Sequence, residues 1–292
     1  MTPLLTVFTA SVREDLARLW LACVVRAFPR EETRIEIYDD SDGGAISAER
    51  LEGVAILRPG PGRRDFQEAY NDALLRASTP WLALIDTDAY AVSRRLWPRV
   101  RARLEAGAAA VACAPRAPGD DTVALFLDVA AYRAALADVP TGFLPRAERE
   151  EPSGRPGTWR GVDTGDLMAR AVRARGGRID VLPLEDEGVL IRFDALTNAS
   201  LLAGWGGTSV LCALARRDPY LREGCLGNLA LRRVAEQFLP DGPSFAFPVS
   251  GLALFRALAS APGTWRAAIG RALRLRRGAR RLSGFLETIP PV

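Results

Sequence analysis

Residues 81–90, with the sequence WLALIDTDAY, constrain the fold of this chain more than any other stretch. Trp81 and the apolar residues Leu82–Ile85 have no polar interruption, which is typical of a strand buried on both faces. The run ends at two aspartates, Asp86 and Asp88. Open α/β sheets bind their ligands at the carboxyl ends of their strands. The stretch therefore predicts such a sheet, with carboxylates at its ligand-binding edge.

The aspartate pair has two interpretations. Two carboxylates this close together repel each other unless a cation lies between them. A divalent ion that also carries a diphosphate satisfies this need, because Mg²⁺ usually takes one or two carboxylates together with phosphate oxygens. Alternatively, an aspartate at this position caps the N-terminus of a helix. The ten residues alone do not decide between a metal site and a helix cap.

Strand and helix patterns alternate along the first ninety residues. This order predicts a parallel, right-handed wound sheet with ligand sites at its carboxyl edge. The predicted strands are Leu4–Ala10, the start of Thr33–Gly44, Gly53–Gly60 and the strand from Trp81, and the predicted helices are Arg13–Phe28 and Asp65–Ser78.

The second part of the chain is less regular. Residues 145–161 are charged and rich in Pro and Gly, which predicts a loop. We expect residues 1–210 to form the main domain and 211–292 a helical C-terminal region, with two or three helices from Asp218 onward. The other predicted elements are a helix over Ser93–Gly107 interrupted at Pro98, strands over Ala109–Pro115 and Thr122–Val129, a short helix after them, a helix over Asp166–Gly177 and a strand over Arg178–Leu184.

The composition excludes several kinds of catalysis. The 292 residues include no His, which removes the Ser-His-Asp and Cys-His mechanisms and any imidazole base. Carboxylates must therefore carry out whatever acid–base chemistry occurs. All 39 basic residues are Arg, so phosphate contacts must come from Arg, helix N-termini or a metal.

The cysteines and the hydropathy pattern indicate a cytoplasmic protein. The N-terminal sequence does not resemble a signal peptide, and no apolar run approaches the roughly 18 residues of a membrane span. The net charge of +4 is mild, and no nucleic-acid-binding module is visible. We expect free, buried thiols in a reducing compartment rather than a zinc site. The four cysteines, which form no CxxC pair, are Cys23, Cys113, Cys212 and Cys225.

Two further acidic segments could carry chemistry. The turn Asp39–Gly44 follows the second predicted strand and could bind ribose hydroxyls or a base imide, or it could be an acidic surface turn. Asp163 and Asp166 stand at the start of a predicted helix. Asp163 could cap this helix, with Asp166 favourably near its N-terminus. It could equally be a general base at the mouth of a cleft.

Taken in order, four segments between residues 4 and 210 resemble the GT-A-fold glycosyltransferases of the family-2 type. The resemblance implies an α/β, Rossmann-like, mostly parallel central sheet flanked by helices, with a helical C-terminal appendage. It also implies transfer of a sugar from a nucleoside-diphosphate donor to an acceptor hydroxyl, with inversion. The segments are TVFTASVRED, YDDSDGG, AYNDALLRASTPWLALIDTDAY and DTGDLMARAVRARGGRIDVLP.

The same resemblance implies roles for individual residues. Asp88 and Asp86 would hold Mn²⁺ or Mg²⁺, and Asp163 would be the catalytic base, with Asp166 as the reserve candidate. Whether the metal is needed stays open, because Trp205 stands where related chains often have a His ligand. The implied contacts to the nucleotide and its diphosphate are Thr9, Ala10, Asp39, Asp40, Arg64 (or Arg63), Asn71, Asp86 and Thr87.

Other functions remain open beside the transferase. A catalytically impaired relative could act as a binding or scaffold protein. A sugar-phosphate nucleotidyltransferase would need a Gly-rich, basic loop after the first strand, and TASVRED has no glycine. The expected partners are a nucleoside-diphosphate sugar and an unknown acceptor, with no nucleic acid. The Arg-rich segment Thr264–Leu282 could lie at the inner membrane face, or it could be a solvated helix that packs through its apolar positions.

Overall fold

The computed structural model describes eleven ranges of the chain, and these form two compact units. The sheet unit comprises residues 1–12, 27–87 and 93–190, and the helical unit comprises 13–26, 88–92 and 191–292. The described ranges are 2–41, 46–47, 51, 53–59, 66–113, 124–143, 165–185, 187–194, 196–239, 247–259 and 262–289.

Within the described ranges, a mixed sheet of seven strands forms the centre of the sheet unit, in the order β3-β2-β1-β4-β7-β6-β8. Strand β7 runs antiparallel to both of its neighbours, and the other pairs are parallel. This confirms the predicted α/β class with a mostly parallel central sheet. The strands are β1 (Leu5–Ser11), β2 (Thr33–Asp39), β3 (Ile56–Pro59), β4 (Trp81–Ile85), β6 (Ala108–Ala112), β7 (Ala124–Asp128) and β8 (Arg178–Val181).

Among the described residues of the sheet unit, four helices flank this sheet. They are α2 (Phe66–Arg76), α3 (Leu96–Glu105), α4 (Val129–Ala135) and α5 (Asp166–Ala174). The central strands are apolar and buried, as strands covered on both faces must be. Helices α2, α4 and α5 contribute Tyr70, Tyr132 and Met168 to a core that also contains Phe8 and Phe143.

Pro98 does not interrupt a helix, so the prediction of a break was wrong. Helix α3 begins at Leu96, which places Pro98 in its first turn. The first-turn N–H groups have no partner within a helix, and proline therefore costs little there. Ser93–Arg95 precede the helix and are not part of it.

The helical unit contains the C-terminal helices and two segments from earlier in the chain. A further helix, α6, was not predicted: it continues through the glycines at 204–207 with a local break at Gly207, whose φ is 69° and ψ 174°. Two or three helices were predicted from Asp218 onward, and the described residues there form three. The elements are α1 (Glu14–Ala27), β5 (Ala89–Ala91), β9 (Leu190–Arg192), α6 (Leu196–Arg217), α7 (Pro219–Phe238), α8 (Gly251–Ala259) and α9 (Pro262–Thr288).

The cysteines match the sequence-based expectation. All four are free and buried. Burial raises the pKa of Cys225 to about 12, so its thiol stays protonated and unreactive near neutral pH. Within the described ranges, none of the helices combines the length and apolar character needed to cross a membrane.

Candidate functional site

Several predicted site residues of the sheet unit lie at one edge of the sheet. Strands β1, β2 and β4 are mutually parallel, so their carboxyl ends share this edge. Helix α5 leads into β8, which runs in the same direction, so α5 begins at this edge too. We call the resulting set the carboxyl-edge site: Thr9, Ala10, Asp39, Asp40, Asp86, Thr87 and Asp166.

Thr9 offers an unused hydroxyl at the end of β1. Its side chain is fully buried, and Oγ1 has no hydrogen-bond partner among the described residues. A buried hydroxyl left without a partner costs about 1–3 kcal/mol, so such groups normally find a ligand, water or protein partner. Ala10, the next residue, packs partly buried against the core cluster.

The carboxylate of Asp39 organises the turn that follows β2. It accepts hydrogen bonds from Ser41 N at 3.0 Å, Ser41 Oγ at 2.5 Å and Ile46 N at 3.1 Å. Asp40 N donates to Ser11 O at 2.9 Å, which ties the ends of β1 and β2 together. Asp39 therefore has a structural role, and the donor contacts of Asp39 and Asp40 stay predictions.

Tyr70 holds Asp86 in position, a contact that the sequence did not predict. The Tyr70 hydroxyl donates to Asp86 Oδ1. Tyr70 is itself buried and packs edge-on against Phe8 and Phe143, with ring centroids 6.1 and 5.9 Å apart. A carboxylate oriented by a buried phenol is pre-organised for binding. The position of Tyr70 beside Asn71 in the AYND segment was the only signal available.

The amide of Asn71 is engaged by its own chain. Its Nδ2 donates to Thr141 O at 2.9 Å, and its Oδ1 accepts from Phe143 N at 2.8 Å. Gly142 lies between these residues with a φ of +62°, and a Cβ there would lie 2.1 Å from Asn71 Oδ1. Asn71 thus fixes the backbone of residues 141–143. Its implied contact with the diphosphate of the donor stays a prediction.

We expect Asn71→Ala to lower the free energy of unfolding by about 1–3 kcal/mol, because two backbone groups lose their partners. Urea unfolding followed by circular dichroism measures this. Asp72→Ala is the matched control, since the Asp72 side chain is 40% exposed and its ion pair among the described residues is a 3.4 Å contact with Arg76. Equal stability of the two variants would contradict the structural role of Asn71.

Asp166 is the first residue of α5 and is buried. Gly165 precedes it with a φ of 87°, a conformation that glycine adopts at little cost. A carboxylate in the first turn is stabilised by the helix dipole. The other residues of this part of the prediction, Arg63, Arg64, Asp163 and the loop before Asp163, lie outside the described residues.

Asp88 belongs to the helical unit, where its backbone joins a small two-stranded sheet. Strand β5 pairs with β9, and Phe193 N donates to Asp88 O at 2.9 Å. Tyr90 follows, fully buried, with its ring edge-on to Phe193 at 5.8 Å. Burial, and then the negative charge of Asp88, raise the pKa of Tyr90, so this phenol stays neutral.

A buried polar cluster, which the sequence did not predict, lies within the helical unit. The Arg13 guanidinium donates from Nε to Asp15 Oδ1 at 2.9 Å and from Nη2 to Asp15 Oδ2. It also donates to Ser200 Oγ at 2.5 Å and Asn228 Oδ1 at 2.7 Å. Asn228 Nδ2 in turn donates to Leu196 O at 3.0 Å. The start of α1 is thereby joined to α6 and α7.

No protein-family model and no curated protein sequence matches the chain. Solved structures are similar to it at low identity. The mannosyltransferase PcManGT from Pyrobaculum calidifontis, in complex with GDP-Man and Mn²⁺, is 19% identical, with 98% of this chain and 86% of that chain covered and a TM-score of 0.47. TarS 1-349 of S. aureus, in complex with UDP-GlcNAc, is 13% identical, with coverages of 97% and 90% and a TM-score of 0.42.

A nucleotidyltransferase is also similar over part of the chain. The 2-C-methyl-D-erythritol 4-phosphate cytidylyltransferase from Thermus thermophilus is 17% identical, with coverages of 61% and 86% and a TM-score of 0.38. Similarities this weak do not establish what the chain binds or transfers. The functional conclusion therefore depends on the geometry of the chain itself.

Proposed function

We propose that the protein is a glycosyltransferase that moves a sugar from a nucleoside-diphosphate donor to an acceptor hydroxyl. The supporting observation is the carboxyl-edge site, which places Thr9, Asp40, Asp86 and Asp166 at the edge where open α/β sheets bind ligands. With no His in the chain, these carboxylates are the available groups for the chemistry.

The donor nucleotide would lie across the ends of β1, β2 and β4. The Thr9 hydroxyl, which has no partner among the described residues, and Ala10 would line the base pocket, with Asp39 and Asp40 toward the base or ribose. Asp86 would face the ribose or a bound water, with Thr87 beside it. Asn71 and Arg64 complete the proposed set on the diphosphate side.

The proposed cofactor is Mn²⁺ or Mg²⁺, held by Asp88 and Asp86. The described residues contain no group of three or more His, Cys, Asp or Glu that could hold a metal by itself. The carboxylates of this pair nevertheless fit a hard cation that takes one or two protein carboxylates and completes its shell with donor phosphates. When bound, such an ion would neutralise the departing nucleoside diphosphate.

The proposed reaction is an inverting displacement. The acceptor oxygen forms a bond to the anomeric carbon, the bond from that carbon to the diphosphate oxygen breaks, and the acceptor proton passes to a carboxylate. Asp163 is the proposed base and Asp166 the reserve. The place of Asp166 at the start of α5 keeps it at the same edge as the donor residues.

A catalytically impaired binding protein is the second candidate. It is favoured by one observation, the engagement of Asp39 and Asn71 by backbone groups of their own chain. A nucleotidyltransferase has less support, because the segment after β1 lacks a glycine-rich phosphate loop.

A thermal-shift screen against UDP-, GDP- and dTDP-sugars, with and without Mn²⁺, tests the proposal. A donor at about 100 times its Kd stabilises the folded state by about 2.7 kcal/mol, which raises the Tm by roughly 5 °C for a chain of this size. The response should be weaker in Asp86→Asn and unchanged in the Asp72→Asn control.

Each other outcome has a definite meaning. If no nucleotide shifts the Tm, the transferase proposal fails. Binding without turnover of the donor would favour the impaired relative. A shift that is insensitive both to metal and to Asp88→Ala would remove the metal from the proposal while keeping the nucleotide.

A further inference from the structure

Helix α9 has two opposite faces of different character. One face is apolar and buried within the helical unit, where α9 contacts α7 and α8. It is formed by Ala268, Leu275, Ala279, Leu282 and Leu286. Leu275 and Leu282 therefore pack against the helical unit, whereas Ile269 is 40% exposed and lies away from this face.

The opposite face is basic and exposed. At 3.6 residues per turn its members fall within an arc of about 140°, directly opposite the buried face. We call this set the basic face of α9: Arg266, Ile269, Leu273, Arg276, Arg277, Arg280 and Arg281.

The arginines of this face differ in their pairing from two others on the same helix. Arg271 and Arg274 are paired with Glu223. Among the described residues, none of the five arginines of the basic face forms an ion pair, and the sequence of α9 contains a single acidic residue, Glu287. Within the described part of the chain, the face therefore carries positive charge without a paired carboxylate, and this charge could pair with an external anionic surface.

Two apolar side chains lie among the arginines of the basic face. Ile269 is 40% and Leu273 53% exposed, one turn apart along the helix. Arg276 and Arg280 lie to one side of Leu273 on the helical projection, and Arg277 and Arg281 to the other. A purely ionic partner such as nucleic acid gains nothing from exposed Ile and Leu, whereas a bilayer surface accepts apolar side chains between its headgroups.

We propose that the basic face of α9 docks onto an anionic lipid bilayer, with the arginines on the headgroup phosphates and Ile269 and Leu273 inserted between them. The helix then lies in the plane of the interface while its buried face stays packed on the helical unit. This inference does not depend on the glycosyltransferase proposal, because no residue of the carboxyl-edge site takes part in it.

Vesicle co-sedimentation of the full chain tests the proposed contacts between the arginines and the headgroup phosphates. Phosphatidylcholine vesicles with about 30% phosphatidylserine should bind the protein, whereas pure phosphatidylcholine and high salt should not. Arg277→Gln/Arg281→Gln should weaken partitioning about 25-fold, at about fivefold for each arginine near an anionic surface.

The matched control is Arg216→Gln/Arg217→Gln, which removes the same charge from exposed positions at the end of α6. The control should bind like the wild type. If both double variants lose binding equally, the attraction comes from net charge and the proposed face is wrong. Absence of binding to anionic vesicles would also overturn the proposal. An unchanged circular dichroism spectrum and Tm establish that the variants are folded.

Leu273→Ser tests the apolar part. Because Leu273 is exposed, the variant should fold normally and yet partition about tenfold less. Its binding to an oligonucleotide, measured in parallel, should not change. If Leu273→Ser leaves vesicle binding intact, no apolar insertion occurs, and the proposed insertion of Ile269 and Leu273 is wrong.

Discussion

Replacement of Asp15 by alanine is expected to lower the free energy of unfolding by about 3–5 kcal/mol, the cost of leaving one charge of a buried pair without its partner. Arg13 and Asp15 are 7% and 4% exposed, so water cannot replace the lost carboxylate. Asp15 Oδ1 also accepts from Leu16 N at 2.9 Å, which adds a backbone donor to the loss. Urea unfolding of the full chain measures the effect.

Two further variants test whether the unpaired buried charge of Arg13 causes the destabilisation by Asp15→Ala. Arg13→Met/Asp15→Leu removes both charges and should be less destabilising than Asp15→Ala alone, because no charge is left buried. Asp138→Ala breaks a bidentate pair with Arg175 that is exposed to solvent, and it should have a much smaller effect. The interpretation would be wrong if Asp15→Ala were no more harmful than Asp138→Ala.

The second large effect concerns Asp86. With a donor identified by thermal shift, Asp86→Asn should reduce kcat for sugar transfer by about 10²–10³-fold, the range for removing one pre-organised electrostatic group. The substitution keeps the size of the side chain and an acceptor for the Tyr70 hydroxyl. Release of the nucleoside diphosphate, followed by a coupled assay, reports the rate.

Tyr70→Phe tests whether the Tyr70 hydroxyl supports sugar transfer by orienting the carboxylate of Asp86. It removes the hydroxyl that donates to Asp86 and keeps the ring that packs on Phe8 and Phe143. We expect a loss of about 10–100-fold, as for other groups that orient a ligand-binding side chain. Asp72→Asn, on the exposed side of the same helix, should leave the rate unchanged. Full turnover by Asp86→Asn would remove this residue from the proposed mechanism.

The sequence predicted the elements that local patterns determine. The apolar run before Asp86 identifies β4, and the alternation of strands with amphipathic helices predicts a parallel sheet. Periodicity is a property of adjacent residues, so it can be read without the fold. The antiparallel direction of β7 was not accessible, because it depends on how distant strands pair.

The missed features depend on contacts between residues far apart in the sequence. Asn71 binds backbone groups 70 and 72 residues away, and Arg13 reaches Asn228 across 215 residues. Helix α6 was missed because the glycines at 204–207 disfavour a helix. The structure accommodates them through a single break at Gly207.

The two compact units are not consecutive pieces of the chain. Residues 13–26 and 88–92 belong to the helical unit, although they lie between segments of the sheet unit. A fragment that ends at residue 190 would keep Arg13 and lose both Ser200 and Asn228. No single proteolytic cut can therefore release either unit intact, and neither can be obtained by simple truncation. To study one unit alone, a gene must be designed that joins the three separate segments of that unit through new linkers.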